Sequence, residues 1–479
     1  MSKVNQVKRG FFAPQDFTRG SILKSLVFFS IPLLIGNIFQ QLYSTIDALV
    51  LGRALGMEVL AAVGASSMVL FFFISLFMGV SVGAGVVISQ AFGARNHERL
   101  QKAVSTTYGC TVVIGILISV AGYFLAEPIL TLLRTPVEIL DKAAVYLKIV
   151  FIGMIAMAAF NTLSGVLRAV GDSVTPLIFL IISTILNIVT DLLFVVVFGW
   201  GIDAVAWGTV LCQTVTAVLC AIRIRYLGSE LHVTPRNLII HKEIMPEILR
   251  IGLPAGIQQV VMSISNMIVQ GLINTLGVSV VAGWVAFMRI DTFTIMPMMT
   301  VSMATSILVG QNIGARDLAR VSQGIRRALL LTVAIGLVMS AATLAFALPL
   351  ISAFIPGDTV AIQAAVQAGM DIAWRIVPFY FLLGIQFTMG SVLRGAGDAK
   401  WPMIISIFSL CAVRLPMSYL LYFITGAASA IFWAPPISWC VGVIINAVYY
   451  FRAKWRERAI ERVDRMYAMK KTEAEPSVI

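Results

Sequence analysis

The sequence predicts an all-α membrane protein with twelve transmembrane helices, arranged as two parallel six-helix repeats. Three observations predict this fold class: an apolar composition, twelve long hydrophobic runs, and a set of motifs that occurs twice in the same order. Of the 479 residues, 59% are hydrophobic and 12% are charged, whereas a soluble globular domain carries about 25% charged residues. The runs are too long for the strands of a membrane β-barrel.

The hydrophobic runs have the length that a membrane requires. A helix needs roughly 20 apolar residues to cross the hydrocarbon core of a bilayer. The segments that meet this requirement lie at 26–50, 62–88, 103–126, 143–164, 175–198, 204–226, 249–273, 281–309, 325–349, 362–388, 402–424 and 430–451. Their even number places both termini on the same side of the membrane.

The basic residues indicate which side that is. If the loops alternate between the two sides, most of the 35 Lys and Arg residues fall on the side of the termini. The other side receives Arg53, Arg134, Lys142, Lys148 and Arg375. Basic loops are typical of the cytoplasmic side, so we expect both termini in the cytoplasm of a cell (inner) membrane protein. The net charge of +12 then reflects topology, and we expect the lipid bilayer rather than nucleic acid as a partner.

Three motifs occur once in each half of the chain. They are SQAFGARNHERLQKA at 89–103 and GQNIGARDLARVSQG at 310–324, GVLRAVGDSVTPL at 165–177 and SVLRGAGDAKWPM at 391–403, and IPLLIGNIFQQ at 31–41 and LPAGIQQVVMS at 253–263. Because six spans are an even number, the halves insert with the same orientation and are related by an axis along the membrane normal. Repeats of this kind build transporters whose substrate cavity lies between the halves.

The repeat and the charge pattern divide the chain into five parts. We predict a cytoplasmic N-terminal segment at 1–25, an N-lobe at 26–226, a cytoplasmic linker at 227–248, a C-lobe at 249–451 and a basic cytoplasmic tail at 452–479. In the tail, an apolar helix face is formed by Trp455, Ile460, Val463 and Met466. Such a face predicts a helix that lies along the membrane surface, with binding of a partner as the alternative.

Glycine and proline explain several motifs without a ligand. Gly171 and Gly397 follow the Leu-Arg motifs, where the chain needs a left-handed residue to end a helix. Pro176 and Pro402 suit the first turn of the next helix. The stretch GVSVGAG at 79–85 lies within a span and follows no strand, so it predicts close helix packing rather than a dinucleotide loop.

Acidic residues within the spans point to a function. A charge at the bilayer centre costs about 2.5–3.5 kcal/mol, so such residues usually face a cavity and a partner. Asn187 and Asp191 are four residues apart and therefore share one helix face. Asp47, Thr209 and Asn161 can join these two residues, and the five side chains then offer carboxylate, amide and hydroxyl oxygens as ligands. Such ligands suit Na⁺, and buried carboxyl groups also accept protons. The alternative is a purely structural hydrogen-bond network.

The second half carries different charged residues within its spans. Asp291 and Arg289 lie in the eighth span and Arg414 lies in the eleventh. We hypothesise that Asp291 pairs with Arg414, and the alternative is that Asp291 binds substrate or acts in gating. We also assign Gln40, Gln259, Met262 and Met296 to the substrate cavity or to this C-lobe polar network. Methionine adapts to varied ligand shapes, although core filling is the more common reason for a methionine in a span.

The sequence does not predict an enzyme. The cysteines have no CxxC spacing, and the histidines all fall in loops. No P-loop motif occurs, so ATP is not the direct energy source. We expect no cofactor and no metal beyond Na⁺ as a coupling ion.

Taken together, these motifs resemble the multidrug and toxic compound extrusion (MATE) family of transporters. The resemblance rests on LYSTIDALVLGRALG at 42–56, the proline-started first and seventh helices, both GAR loops and both LR-x-x-GD-x-x-x-P loops. It implies a V-shaped fold of two lobes. It also implies secondary active export of organic compounds, mostly cationic or amphipathic, in antiport with Na⁺ or H⁺ by alternating access.

The resemblance also implies positions for the ion ligands. In MATE proteins whose N-lobe holds the ion, the ligands fall at Asp47, Asn187, Asp191 and Thr209, and Asn161 fits less well. The NorM-like branch has a glutamate at the position of Met262 in this chain. It also has an aspartate at a position near Leu383 of this chain. We therefore expect a prokaryotic protein closer to the DinF-like branch, working as a monomer. The alternative function is a lipid-linked oligosaccharide flippase of the same superfamily, for which few cationic residues are available within the spans.

Overall fold

A computed structural model describes residues 14–227, 231, 238–355, 357 and 359–474, without the side chains of 48–50, 53, 68, 76 and 465–474. The described residues contain helices and no β-strand. Eleven helices are long and apolar enough to cross a membrane, and a bent pair, Val137–Ile152 with Met154–Ala169, can form a twelfth span. The predicted fold class of a twelve-span helical membrane protein is confirmed.

The described residues of the first half form seven α-helices. They are α1 (Ile22–Ala54), α2 (Met57–Gly93), α3 (His97–Leu132), α4 (Val137–Ile152), α5 (Met154–Ala169), α6 (Val174–Asp191) and α7 (Ile202–Leu227). The pair α4 and α5 is bent by 51° at Gly153, where a side chain would collide with Val210 of α7. A π-helical segment, Leu192–Val197, continues α6 directly after Asp191.

In the second half, where several spans are interrupted, the residues that the structure describes form ten α-helices. They are α8 (Met245–Asn274), α9 (Val278–Gly314), α10 (Leu318–Ala345), α11 (Ala347–Phe354), α12 (Val360–Ile376), α13 (Tyr380–Gly395), α14 (Lys400–Ile407), α15 (Leu415–Thr425), α16 (Ala434–Arg452) and α17 (Trp455–Ala474). A π-helical segment, Phe408–Arg414, joins α14 to α15. Short 3₁₀ segments precede α13 and α16.

The duplicated motifs form the same turns in both halves. Arg95 and Arg316 of the GAR motifs both have left-handed backbones, with φ of 51° and 59°. The next residues, Asn96 and Asp317, start α3 and α10, because their side chains accept a backbone N–H three residues later, at 3.1 and 2.8 Å. This is the hydrogen bond of a helix N-cap. The sequence repeat is therefore a structural repeat.

The second duplicated turn follows the Leu-Arg motifs. Gly171 and Gly397 have φ of +93° and +80°, which confirms the predicted left-handed residues. After Gly171, the Asp172 side chain accepts the backbone N–H groups of Val174 and Thr175, at 3.2 and 3.0 Å, and so caps the start of α6. Helix termination explains these motifs, as the sequence predicted.

The chain folds into two compact units. One unit consists of Ile31–Gly256 with the residues up to Asp16, and the other consists of Phe17–Ser30 with Ile257–Ile479. The boundaries fall inside α1 and inside α8, close to Pro32 and Pro254. Each of these two helices therefore contributes its first turns to one unit and the rest to the other.

The first unit contains a glycine-lined helix crossing. A Cβ atom at Gly79 of α2 would lie 2.6 Å from the carbonyl oxygen of Gly252 in α8. A Cβ atom at Gly83 would lie 2.8 Å from the Gly252 nitrogen, whereas Gly85 faces open space. Small residues allow two helix backbones to approach this closely. The prediction that the 79–85 stretch serves helix packing is confirmed at Gly79 and Gly83.

The C-terminal helix α17 packs on the second unit. Trp455, Ala459 and Val463 lie on one helix face and are each 1% exposed. Asp464 forms an ion pair with Arg316 of the second GAR turn at 2.5 Å, and Arg462 donates to the carbonyl of Gly397. The apolar face predicted from the sequence exists, but protein covers it. The prediction that this face lies on a membrane surface is therefore wrong for Trp455 and Val463.

Shortening Trp455 to alanine is expected to destabilise the second unit. Its buried ring contacts Tyr450, and its indole N–H donates to the Tyr450 carbonyl at 3.1 Å. Truncation of a buried tryptophan costs about 3–5 kcal/mol. The check is the thermal unfolding midpoint of Trp455→Ala in detergent, with Trp374→Ala as the control, because Trp374 is 57% exposed. Equal midpoints for the two variants would contradict the packing of α17.

Candidate functional site

Two carboxyl groups meet inside the first unit. Asp191 ends α6 and is 2% exposed, and Asp47 lies on α1. Their side chains are within hydrogen-bonding reach of each other. The Oδ1 atom of each is buried, and no donor among the described residues reaches it. Two carboxylates this close repel each other unless a proton or a cation is bound between them.

The amide of Asn187 lies on the same helix face, one turn before Asp191. Asn187 is 1% exposed, and within the described residues no oxygen or nitrogen atom pairs with its Oδ1 or Nδ2, although its side chain interacts with the Cys212 thiol. Buried polar groups are normally paired, so each exception needs an explanation. Here the unpaired atoms of Asp47, Asn187 and Asp191 cluster together. The cluster therefore has the groups needed to bind a ligand that supplies positive charge.

Helix α7 closes one side of this cluster. A Cβ atom at Gly208 would lie 3.2 Å from Asp191 Oδ1 and 3.3 Å from Thr190 Oγ1, so glycine allows α7 to contact the carboxyl group directly. The Cys212 thiol lies 3.8 Å from Thr190 Oγ1. Most of the atoms that could bind a cation here are thus hard oxygen atoms, which suit Na⁺ or a proton.

Two tyrosines at this site were not predicted from the sequence. Tyr43 of α1 and Tyr146 of α4 are both in electrostatic contact with the carboxyl pair. The Tyr43 hydroxyl is hydrogen-bonded to Thr209. Because the Thr209 hydroxyl donates to the Val205 carbonyl at 3.1 Å, it accepts from Tyr43. Tyr43 precedes Asp47 by four residues, so the spacing that identified Asn187 could have identified it.

The predicted ligands are thus distributed unevenly. Asp47, Asn187 and Asp191 come together, and Thr209 reaches the site through Tyr43. The Asn161 side chain instead donates to the Met157 carbonyl of its own helix, at 2.9 Å. Among the described residues, it makes no hydrogen bond to the carboxyl pair.

In the second unit, Asp291 and Arg414 each form a hydrogen bond to another residue rather than to each other. The Tyr380 hydroxyl donates to Asp291, and Arg414 donates from Nη1 to Asn266 Oδ1 at 3.1 Å. In the described part of the chain, no ion pair within 4.0 Å joins Asp291 to Arg414. Each still acts on the other electrostatically, and Arg414 Nε is buried without an acceptor. Tyr380, which the sequence did not indicate, is the direct partner of Asp291.

The remaining predicted cavity residues lie in separate places. Gln40 is exposed and belongs to the first unit, whereas Gln259, Met262 and Met296 are half-buried in the second unit. The Gln259 backbone carbonyl accepts the Ser263 hydroxyl at 3.0 Å. Their roles in a cavity or polar network stay predictions.

A double-mutant cycle tests the second-unit network. Tyr380→Phe leaves the carboxylate of Asp291 without its donor, which costs about 1–3 kcal/mol for a buried group. We expect the same substitution to cost less in an Asp291→Asn background, because the hydroxyl then loses a hydrogen bond to a neutral amide oxygen rather than to a carboxylate. The coupling between Asp291→Asn and Arg414→Gln should be smaller but of the same sign, so removing both charges is better tolerated than removing one. Thermal unfolding of the singles and doubles measures both couplings, and strict additivity in both cycles would exclude the network.

Comparisons with known proteins identify relatives along almost the whole chain. The MatE family model matches residues 32–193 and again 254–420. The chain is 29% identical over 457 residues to the probable multidrug resistance protein YoeA of Bacillus subtilis, covering 94% of this chain and 97% of that protein. It is 31% identical over 412 residues to the probable multidrug resistance protein YpnP of the same organism, covering 85% and 89%.

The solved structures agree at the level of the fold. A crystal structure of MATE in complex with MaL6 superposes with a TM-score of 0.84 at 24% identity, covering 96% of this chain and 100% of that one. The family model matches once in each half, as the duplicated motifs predicted. Neither comparison separates the DinF-like from the NorM-like branch, and the branch assignment stays a prediction.

Proposed function

Because this chain belongs to the MATE family of transporters, we propose that it exports organic compounds, mostly cationic or amphipathic, in antiport with Na⁺ or H⁺ by alternating access. The family makes it a transporter and not an enzyme. The relatives that cover most of the chain are named multidrug resistance proteins, which favours drug export over the flippase alternative.

The cluster of Asp47, Asn187 and Asp191 is the proposed coupling site. The observation that carries this proposal is the set of buried oxygen atoms without a donor, one on each carboxyl group and one on the amide. Na⁺ would be held by the carboxylate oxygens and Asn187 Oδ1, whereas a proton would lie between the two carboxyl groups. Either cation removes the repulsion between Asp47 and Asp191.

Competition for this negative charge supplies the exchange. An organic cation near the cluster and the coupling ion both neutralise the same two carboxylates, so binding of one weakens binding of the other. One ion moving down 100 mV releases about 2.3 kcal/mol. Since about 1.4 kcal/mol corresponds to a tenfold ratio, this energy supports roughly a 40-fold gradient of a solute without net charge. For a monocation exchanged one for one, the potential does no net work, and the concentration gradient of the ion supplies the energy instead. A single site is therefore sufficient for useful export.

The setting of the transporter is also part of the proposal. We place it as a multi-pass monomer in the cell membrane, with both termini in the cytoplasm and the lobes at 26–226 and 249–451. Asp291 and Arg414 of the second unit would then act in the polar network of the C-lobe, on the side of the substrate.

Transport in proteoliposomes tests this function. Purified protein is reconstituted, and uptake of two unrelated fluorescent cations, ethidium and tetramethylrhodamine methyl ester, is followed under a Na⁺ gradient and under a pH gradient, each alone. Flux of both dyes under one of the gradients supports ion-coupled multidrug export and identifies the ion. Protein that remains folded but moves neither dye under either gradient would contradict the proposal.

A further inference from the structure

The duplicated Leu-Arg motif places an arginine at the same position of both units. Arg168 lies in the last turn of α5, and Arg394 lies in the last turn of α13. A cation at this position is stabilised by the free carbonyl groups of the helix end. This structural role applies to both halves, and it explains why each half has the arginine.

The residues around the two arginines are different. Aligning Pro32 with Pro254 and Pro176 with Pro402 places Gly36 opposite Gln258, Gly165 opposite Ser391, and Leu180 opposite Ser406. The alignment is supported by contacts, because a Cβ atom at Gly36 would lie 3.6 Å from Leu180, and Gln258 contacts Ser406. At these three positions the first unit has glycine or leucine and the second unit has polar side chains. A serine is present near the arginine in both units, because the Ser81 hydroxyl lies beside Gly165 and Ser302 contacts Ser391.

These side chains form a connected group around Arg394. Its Nη1 donates to Gln258 Oε1 at 3.3 Å, and its Nη2 donates to Ser391 Oγ at 2.8 Å. Gln258 Nε2 in turn donates to Ser406 Oγ at 2.7 Å. Ser391 also contacts Ser302 of α9: the two hydroxyl oxygens are 3.0 Å apart, and both serines are buried. Four helical segments, α8, α9, α13 and α14, hold the guanidinium in place.

Every partner of Arg394 is electrically neutral. Within the described residues, no carboxylate lies within 4.0 Å of its guanidinium. The residue as a whole is half-buried, as are Gln258 and Ser406. A guanidinium has five N–H donors. Within the described residues, the guanidinium of Arg394 forms two hydrogen bonds. The positive charge and a fork of donors are therefore available to a ligand.

We propose that Arg394, with Gln258, Ser391 and Ser406, binds the anionic group of an amphipathic ligand, a carboxylate or a phosphate. Arginine matches such groups because two parallel N–H bonds fit two oxygen atoms. The first unit shows that helix termination needs none of the three side chains Gln258, Ser391 and Ser406, because it has glycine or leucine at their positions. The proposal rests on the proposed function, since it adds compounds that carry a carboxylate, such as zwitterionic drugs, to its substrate class.

Equilibrium binding of two matched dyes tests the site. Fluorescence anisotropy compares tetramethylrhodamine free acid with its methyl ester, which differ only in the carboxylate. We compare wild type, Arg394→Gln, the control Arg327→Gln, whose side chain is exposed, and a triple variant that copies the first unit (Gln258→Gly, Ser391→Gly, Ser406→Leu). Hydrogen bonds to charged groups imply about a 10- to 100-fold weaker binding of the acid by Arg394→Gln, with the ester and the control unchanged.

The triple variant keeps the proposal testable if Arg394→Gln fails to fold. It retains the arginine at the helix end and is expected to lose the preference for the acid over the ester. An equal loss of both dyes in Arg394→Gln, or an unchanged preference in the triple variant, would overturn the proposal. This assay applies no ion gradient, so its outcome is independent of whether the ester is transported.

A further arm identifies the source of the anion. The acid is titrated against wild type in nanodiscs of phosphatidylcholine alone and of phosphatidylcholine with phosphatidylglycerol. If a lipid phosphate occupies the site, phosphatidylglycerol weakens acid binding to wild type and leaves the triple variant unaffected. If the site takes a substrate carboxylate, the acid binds wild type equally in both membranes. Weakening by phosphatidylglycerol in wild type and triple variant alike would contradict a site at Arg394.

Discussion

Replacement of Asp191 by asparagine is expected to remove the coupling between ion and substrate. The amide has the shape of the carboxyl group and can still form hydrogen bonds, but it cannot bind Na⁺ as a carboxylate or release a proton. Under a Na⁺ or pH gradient worth about 2.3 kcal/mol, wild type should accumulate dye roughly 40-fold. Asp191→Asn should show no accumulation, because its substrate movement is no longer linked to an ion. Dye retained in proteoliposomes at steady state measures both ratios.

The matched control is an acidic residue outside the cluster. Asp371 is partly exposed and lies 3.6 Å from Arg375 of its own helix, so Asp371→Asn should accumulate dye as wild type does. An Asp191→Asn protein that accumulates dye as well as wild type would exclude the first-unit site. Asp291, which accepts the Tyr380 hydroxyl in the second unit, would then be the residue to test.

Adding a single methyl group at Gly83 is expected to destabilise the first unit strongly. The new Cβ atom would meet the backbone of α8 at Ile248 and Gly252, and a helix backbone cannot rotate away as a side chain can. Overpacking of this kind costs about 1–3 kcal/mol and occasionally more. The thermal unfolding midpoint of Gly83→Ala in detergent measures the effect.

Gly85 provides the comparison on the same helix. It faces open space, and alanine is the better helix former by about 0.5–1 kcal/mol. Gly85→Ala should therefore unfold at the same temperature as wild type or above it. A Gly83→Ala midpoint equal to that of Gly85→Ala would show that α2 and α8 do not cross closely here.

Local patterns in the sequence were sufficient for part of the site. The four-residue spacing of Asn187 and Asp191 defined one face of α6, and the structure places both at the carboxyl cluster. The same spacing joins Tyr43 to Asp47, but an aromatic residue in a span is common enough that spacing alone did not single it out. Tyr146 has no such signal, because only the packing of α4 places it there.

Contacts between distant parts of the chain could not be predicted from the sequence. Asp291 and Tyr380 are 89 residues apart, and no pattern links them. The pairing of Asp291 with Arg414 was hypothesised from charge alone, and the π-helical segment before Arg414 alters which face that residue occupies. In the tail, periodicity predicted the apolar face of α17 but could not distinguish a membrane surface from the protein surface that covers Trp455.

The most direct test of the central claim is to count the cations that the carboxyl pair binds. Purified protein in nanodiscs is titrated with Na⁺ by calorimetry and with acid in the presence of a pH-indicator dye, for wild type, Asp47→Asn, Asp191→Asn and the double variant. We expect wild type near neutral pH to bind one Na⁺ or one proton that both single variants lack, with no further loss in the double variant at that pH. An equal number of bound cations in wild type and in Asp191→Asn would contradict the claim that the carboxyl pair binds the coupling ion.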